Sequence, residues 1–248
     1  MGKEDKERRN AARIILAQTA SKLGDVLGDA KTVLTWLMGV VGAPGGLTGM
    51  LVPVRESGSM LPQVFISGWV KRAPRRKWIY AAGAVGQAAS LVAMGCVALL
   101  FEGVVAGVLI VVALGILALS RCLSSIASKD VLGKTVPKGK RGRVGGMATA
   151  ISGVLGMAAA GAVIAFLEKD GSAAVFGWLL IGGSGLYLLA GLGMGSVDEP
   201  ESEVGEGKQS SVGLRERLAL LWKDEKLRRF VIVRTLLLGS ALGAPYLV

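Results

Sequence analysis

Six apolar stretches, each long enough to cross a bilayer, alternate with clusters of Lys and Arg and with short near-neutral turns, and a seventh stretch runs to Val248. That alternation constrains the chain more than any other feature. A span needs about 20 mostly apolar residues, and residues 78–101, 104–127, 145–167 and 174–197 each meet the requirement. The turns at 102–103 and 168–172 are too short to hold a domain, so these four segments read as two hairpins. With 52% hydrophobic and 19% charged residues and a mean hydropathy of +0.54, the chain is a poor candidate for a water-soluble domain. Its 37 glycines suit closely packed membrane helices. The expected fold class is an all-α integral membrane protein.

Charge sets the expected topology. Residues 71–77 hold five Lys or Arg and residues 129–143 hold six against one acid, which assigns both segments to the cytoplasm. The N-terminal segment 1–11, with Lys3, Lys6, Arg8 and Arg9, belongs on the same side. Two basic regions on one side require an even number of crossings between them. A single span over 32–54 would break that rule and leave 57–70 too short to return. The chain is therefore divided into spans at about 12–37 and 47–70, joined by the helix-breaking run Gly42-Ala43-Pro44-Gly45-Gly46. The expectation is a six-helix bundle over 12–197, a cytoplasmic linker over 198–228 and a seventh helix from 229 that is cut off at Val248. The expected location is the plasma membrane, of the bacterial inner-membrane kind, as a multi-pass protein with its N-terminus inside.

Several function classes fall away. The net charge of +11 follows largely from the cytoplasmic loops, whose basic runs lack the interleaved aromatics that stack bases, so no nucleic acid is expected. The charged start has no short apolar core beside a small-residue cleavage site, so no cleaved signal is read. Cys96 and Cys122 both fall inside spans, and with no His the chain offers neither a disulfide framework nor an imidazole. No nucleophile–base pair, P-loop or dinucleotide fingerprint is present. An enzyme, a cofactor and a metal site are not expected.

The two-span division of residues 12–70 puts charge inside the bilayer, where each ionisable group costs about 2.5–3.5 kcal/mol on insertion scales and faces a cavity or a partner. The third, fifth and sixth spans carry no charged residue. In the first span Gln18, Lys22, Asp25, Asp29 and Thr32 follow steps of four and three, one face of a helix. Glu56, Ser59, Gln63 and Ser67 form a similar stripe on the second span, beside Arg55. Arg121, Ser124, Ser125 and Ser128 do so on the fourth, and Arg234 lies in the seventh. Three stripes on three apolar helices are satisfied together if they converge on a water-accessible cavity. The plainer alternative is structural pairing, as between Asp25 and Lys22 or Arg55. Lys31 reads as an anchor at the far membrane face. The glycines of the third, fifth and sixth spans read as packing positions.

Two groups of three spans, a long linker and a seventh span resemble the N-terminal half of a major facilitator superfamily transporter. The most specific segment is Gly68-Trp-Val-Lys-Arg-Ala-Pro-Arg-Arg-Lys77, which is similar to the family's loop motif of Gly, Asp, Gly and paired basic residues. Gly68, Arg76 and Lys77 fall on matching positions. Arg72 stands at the usual Asp position and Arg75 at the second Gly position. Arg121 matches the Arg that the family often carries in its fourth helix. The resemblance implies twelve helices in two six-helix halves around a central cavity, with 3+3 inverted repeats and alternating access. The missing C-terminal six-helix half would then be a partner, together with the lipid bilayer, a small solute and protons.

The expected function is secondary active transport of a small solute. Asp25, Asp29, Arg55, Glu56, Gln63, Arg121 and Arg234 are the substrate or coupling candidates. Gly68, Arg72, Arg76 and Lys77 form the gating loop. The alternative is a truncated, non-transporting membrane remnant or scaffold whose intramembrane charges only hold helices together.

Overall fold

A lipid-embedded chain satisfies its backbone only as helices or as a closed barrel, and continuous runs of about 20 Leu, Val, Ala and Gly residues between turn residues suit the helix. The computed structural model describes residues 3–70, 73–169, 171–201, 225, 228–230 and 232–233. Among them there is no strand. Over residues 3–195 seven helices run in order: α1 Lys3–Leu27, α2 Val33–Val40, α3 Gly45–Val70, α4 Lys77–Leu100, α5 Gly103–Thr135, α6 Lys138–Lys169 and α7 Ala173–Gly195. Four of them, α4, α5, α6 and α7, are long and apolar enough to cross a membrane, the mark of a membrane protein. Their outer faces carry bare apolar side chains, such as Val104, Val112 and Ile116 on α5 and Val154 and Met157 on α6.

The first expected span is not one helix. Residues 12–37 divide between α1 and α2, and the chain between Leu27 and Val33 is a turn. Gly28 ends α1, and the Asp29 carboxylate accepts from Lys31 N at 3.2 Å and Thr32 Oγ1 at 3.1 Å, holding the turn open. Asp and Thr form such local bonds readily, and they compete with the helix ladder. Other boundaries move as well. α1 already starts at Lys3, α5 continues eight residues past the expected 127, and α6 starts at Lys138 rather than 145. The basic loop between α5 and α6 is therefore almost entirely helical.

Packing follows a simple order. α4 and α7 pack together, α5 packs on α4 and on α3, and α1 packs on α7 and on α6. Missing side chains make these approaches possible. A Cβ on Gly95 of α4 would lie 2.7 Å from the Gly177 carbonyl and 2.7 Å from Ile181 Cγ1 of α7. A Cβ on Gly24 of α1 would lie 2.9 Å from the Tyr187 ring. Gly42 after α2 and Gly103 at the start of α5 have φ of 69° and 64°, a conformation other residues avoid, and Gly103 N donates to Val41 O at 2.6 Å.

Two apolar cores result. One gathers Leu34, Met38, Leu91, Met94, Ile110, Leu114 and Phe176, and the other Ile14, Ala17, Tyr80, Ala127, Val131 and Met194. The polar residues of α1, α4 and α5 lie between them. Chain contacts divide the protein into Met1–Ser202 and Glu203–Val248. In the second unit the described residues include one ion pair, Arg229 to Glu225 at 2.7 Å, a single helical turn apart.

Candidate functional site

α3, α5 and α7 each bring one side chain to Asp25 of α1. The Tyr187 hydroxyl of α7 donates to Asp25 Oδ1 at 3.0 Å. Arg121 of α5 forms an ion pair with the same oxygen, and Arg55 of α3 approaches it at 3.7 Å. The Asp25 and Arg55 side chains are only 14% and 12% exposed, whereas Arg121 is 37% exposed to the adjoining cavity. One carboxylate therefore faces two guanidiniums at the centre of the bundle.

Arg55 has a second task. Its guanidinium donates to Gly28 O, and to Asp25 O at 3.4 Å, the carbonyls freed where α1 ends. A helix C-terminus leaves its last carbonyls unpaired and carries partial negative charge, so a cation there is favourable. The break in α1 and the placement of Arg55 are thus one arrangement.

A cavity of about 280 Å³ opens beside Asp25, lined by side chains of α1, α4 and α5. Its wall holds Lys22, Arg121 and Lys129 with a row of hydroxyls and amides that includes Ser125 and Gln87. Lys22 Nζ donates to Thr149 Oγ1 of α6 at 2.5 Å, and Gln18 Nε2 donates to Ser128 Oγ at 3.2 Å. Gln87 Nε2 donates to Ser124 Oγ at 3.1 Å, and Ser124 in turn donates to Tyr80 O at 3.3 Å. Gln87 Oε1 is buried and has no hydrogen-bond partner among the described residues.

The stripes converge only in part. Gln18, Lys22 and Asp25 of the first stripe join Arg121, Ser124, Ser125 and Ser128 of α5 around the cavity. Asp29 and Thr32 do not, because the helix that would align them has ended; they bond each other instead. On α3, Gln63 Nε2 donates to Ser59 O on its own helix at 2.9 Å. The Glu56 side chain has no hydrogen bond or ion pair among the described residues and does not line the cavity. Arg72 and Arg234 lie outside the described residues.

A second charged network sits where α4 begins. The Glu199 side chain is fully buried and accepts from Arg76 N at 3.1 Å and Lys77 N at 2.8 Å, the unpaired donors at the start of α4. Lys134 of α5 donates to the same carboxylate at 2.7 Å. Arg76 pairs with Asp130 of α5 at 3.3 Å, and Lys77 Nζ donates to Val197 O at 2.8 Å. Arg76 and Lys77 thus tie the start of α4 to α5 and to the end of α7. Gly68 is exposed at the end of α3, with nothing within 4 Å of a Cβ built on it.

Sequence reasoning missed Tyr187, Glu199, Asp130 and Lys134. A lone phenol in the Gly-rich run of α7 was a usable signal for Tyr187. Glu199 was read as part of the cytoplasmic linker over 198–228, although it follows α7 by only four residues. No protein-family model, curated protein or solved structure matches the chain.

Proposed function

We propose that the chain is the six-span N-terminal half of a secondary transporter of the major facilitator type, carrying a small solute by alternating access. In this reading α1 with α2 forms the first span and α3 the second, with the basic segments in the cytoplasm. The observation that carries it is Asp25, a carboxylate at the bundle centre shared by Arg55, Arg121 and Tyr187 beside a polar cavity. A purely structural ion pair has no need of a cavity in its wall.

The order of packing supports the same reading. The second span of the first triple, α3, packs on the first span of the second triple, α5. The second span of the second triple, α6, packs on α1, and the third spans α4 and α7 pack on each other. This exchange is what two related three-helix repeats produce.

A carboxylate beside a guanidinium stays ionised, and one left alone in apolar surroundings takes up a proton. A shift of α5 against α1 within this half, accompanying the rocking of the two halves and moving Arg121 away from Asp25, would thus couple proton uptake on one side to release on the other. Asp29 and Gln63, satisfied locally, have no part in this step. The network of Arg76, Asp130, Lys134 and Glu199 would hold the cytoplasmic ends of α4, α5 and α7 together in one of the two states.

The test is solute-driven proton movement in proteoliposomes filled with a pH-sensitive dye, using the complete gene product. Asp25→Asn should insert and elute normally while abolishing coupled proton movement, and Asp25→Glu should restore part of it. Normal coupled flux in Asp25→Asn would reduce the cluster to a structural one and remove the proposed coupling site.

A further inference from the structure

The charges on the cavity wall do not balance. Lys22 and Arg121 line it, with the exposed Lys129 at its end toward the basic segment, against the single carboxylate of Asp25. That carboxylate already serves Arg121 and also faces Arg55 from behind. Among the described residues no other acid lines the cavity: Asp29 is turned into its own loop, Asp130 pairs with Arg76, and Glu56 does not line it. Lys22 donates to one neutral hydroxyl, Thr149 Oγ1, and forms no ion pair among the described residues. Uncompensated ammonium and guanidinium groups at membrane depth are costly and mark substrate or ion pathways.

We propose that the solute of this cavity is a small oxyanion, a compound whose phosphate or carboxylate group is held by Lys22 and Arg121. The inference rests on the transport reading and adds the chemical class of what is carried. Arg121 presents a planar fork that fits a carboxylate or phosphate through two parallel hydrogen bonds, and Lys22 adds a point charge from the opposite helix. Ser125, which has no hydrogen bond among the described residues, and Ser128 supply neutral donors to the remaining oxygens. A volume of about 280 Å³ fits a metabolite-sized solute and is below the range typical of drug-sized ligands, about 300–1,000 Å³. Binding the anion would also give Arg121 an alternative partner to Asp25. Solute arrival would then release the carboxylate that the coupling step requires.

Charge-selective thiol labelling reads the cavity without knowledge of the solute. In a protein with Cys96→Ala and Cys122→Ala, Ser125→Cys is reacted with a sulfonate-bearing and a trimethylammonium-bearing methanethiosulfonate. Each rate is normalised to that of 2-mercaptoethanol in solution. A cleft lined by one sign of charge raises counter-ion encounter by about 10- to 1,000-fold, so the anionic reagent should be favoured at least about tenfold. Lys22→Gln, away from the labelled residue, should cut that preference severalfold. Phosphate or succinate should slow the anionic labelling where ethanolamine does not. A ratio at or below one, or one unmoved by Lys22→Gln, overturns the anion assignment while leaving an open cavity and the transport reading intact. A cysteine closed to both reagents overturns the cavity and both readings with it.

Discussion

Glu199→Ala should be the most destabilising single substitution at the membrane face that carries the basic loops. The wild-type carboxylate has no exposed side-chain surface and holds three donors at once, two backbone N–H groups at the start of α4 and the Lys134 ammonium. Loss of an N-terminal cap alone costs about 0.5–2 kcal/mol. Removal of one partner from a buried ion pair costs about 3–5 kcal/mol, because the other charge is left uncompensated. The two losses share one carboxylate and do not add. Lys134, with an 18% exposed side chain, recovers some hydration, so about 3 kcal/mol is expected for Glu199→Ala. Glu199→Gln, which keeps one acceptor oxygen, should lose about half of that. The assay is reversible unfolding in mixed micelles titrated with sodium dodecyl sulfate and followed by tryptophan fluorescence. A double-mutant cycle with Lys134→Ala should return a coupling of about 1–3 kcal/mol. Glu201→Ala provides the control, since its pair with Arg75 is largely exposed and worth about 0–1 kcal/mol. If Glu199→Ala unfolds within about 1 kcal/mol of wild type, or matches Glu201→Ala, the reasoning that makes Glu199 the cap of α4 is refuted.

Three other outcomes are expected. Cysteines placed at Gly45 and Gly171 should react with an impermeant maleimide added to intact cells, and cysteines at Ala73 and Gly139 only after permeabilisation; labelling of Ala73→Cys from outside would remove the two-crossing reading of residues 12–70. Gly95→Ala forces a methyl against the Gly177 carbonyl and Ile181, and should cost about 1–3 kcal/mol of stability in the same micelle titration. Gly185→Ala meets nothing within 4 Å and should cost almost nothing. Asp29→Ala removes the two bonds that hold the turn between α1 and α2 and should cost about 0.5–2 kcal/mol by analogy with a lost cap. It should leave any coupled proton movement intact, and a loss of coupling equal to that of Asp25→Asn would return Asp29 to the site.

The helical segments were legible because hydrophobicity is a local property. Each of α4, α5, α6 and α7 is long and apolar enough to cross a membrane on its own composition, whatever its neighbours are. Asp25, Arg55 and Arg121 were legible for a related reason, since a charge within an apolar run needs a partner and few are available. The sequence by itself therefore determined an all-helical membrane chain and the main members of its charged cluster. Only the tertiary structure decided which stripe residues stay together. A periodic stripe assumes a continuous helix, and Gly28 with Asp29 ends α1 before the pattern is complete. Asp29 and Thr32 then turn to each other, and the carbonyls they free draw in Arg55. Tyr187 and Glu199 were decided in the same way. Tyr187 reaches Asp25 because Gly24 lets α7 approach α1, and Glu199 caps α4 because the chain leaving α7 ends beside it. Which helices become neighbours is a sum of many close contacts along the whole bundle, and no single segment contains it.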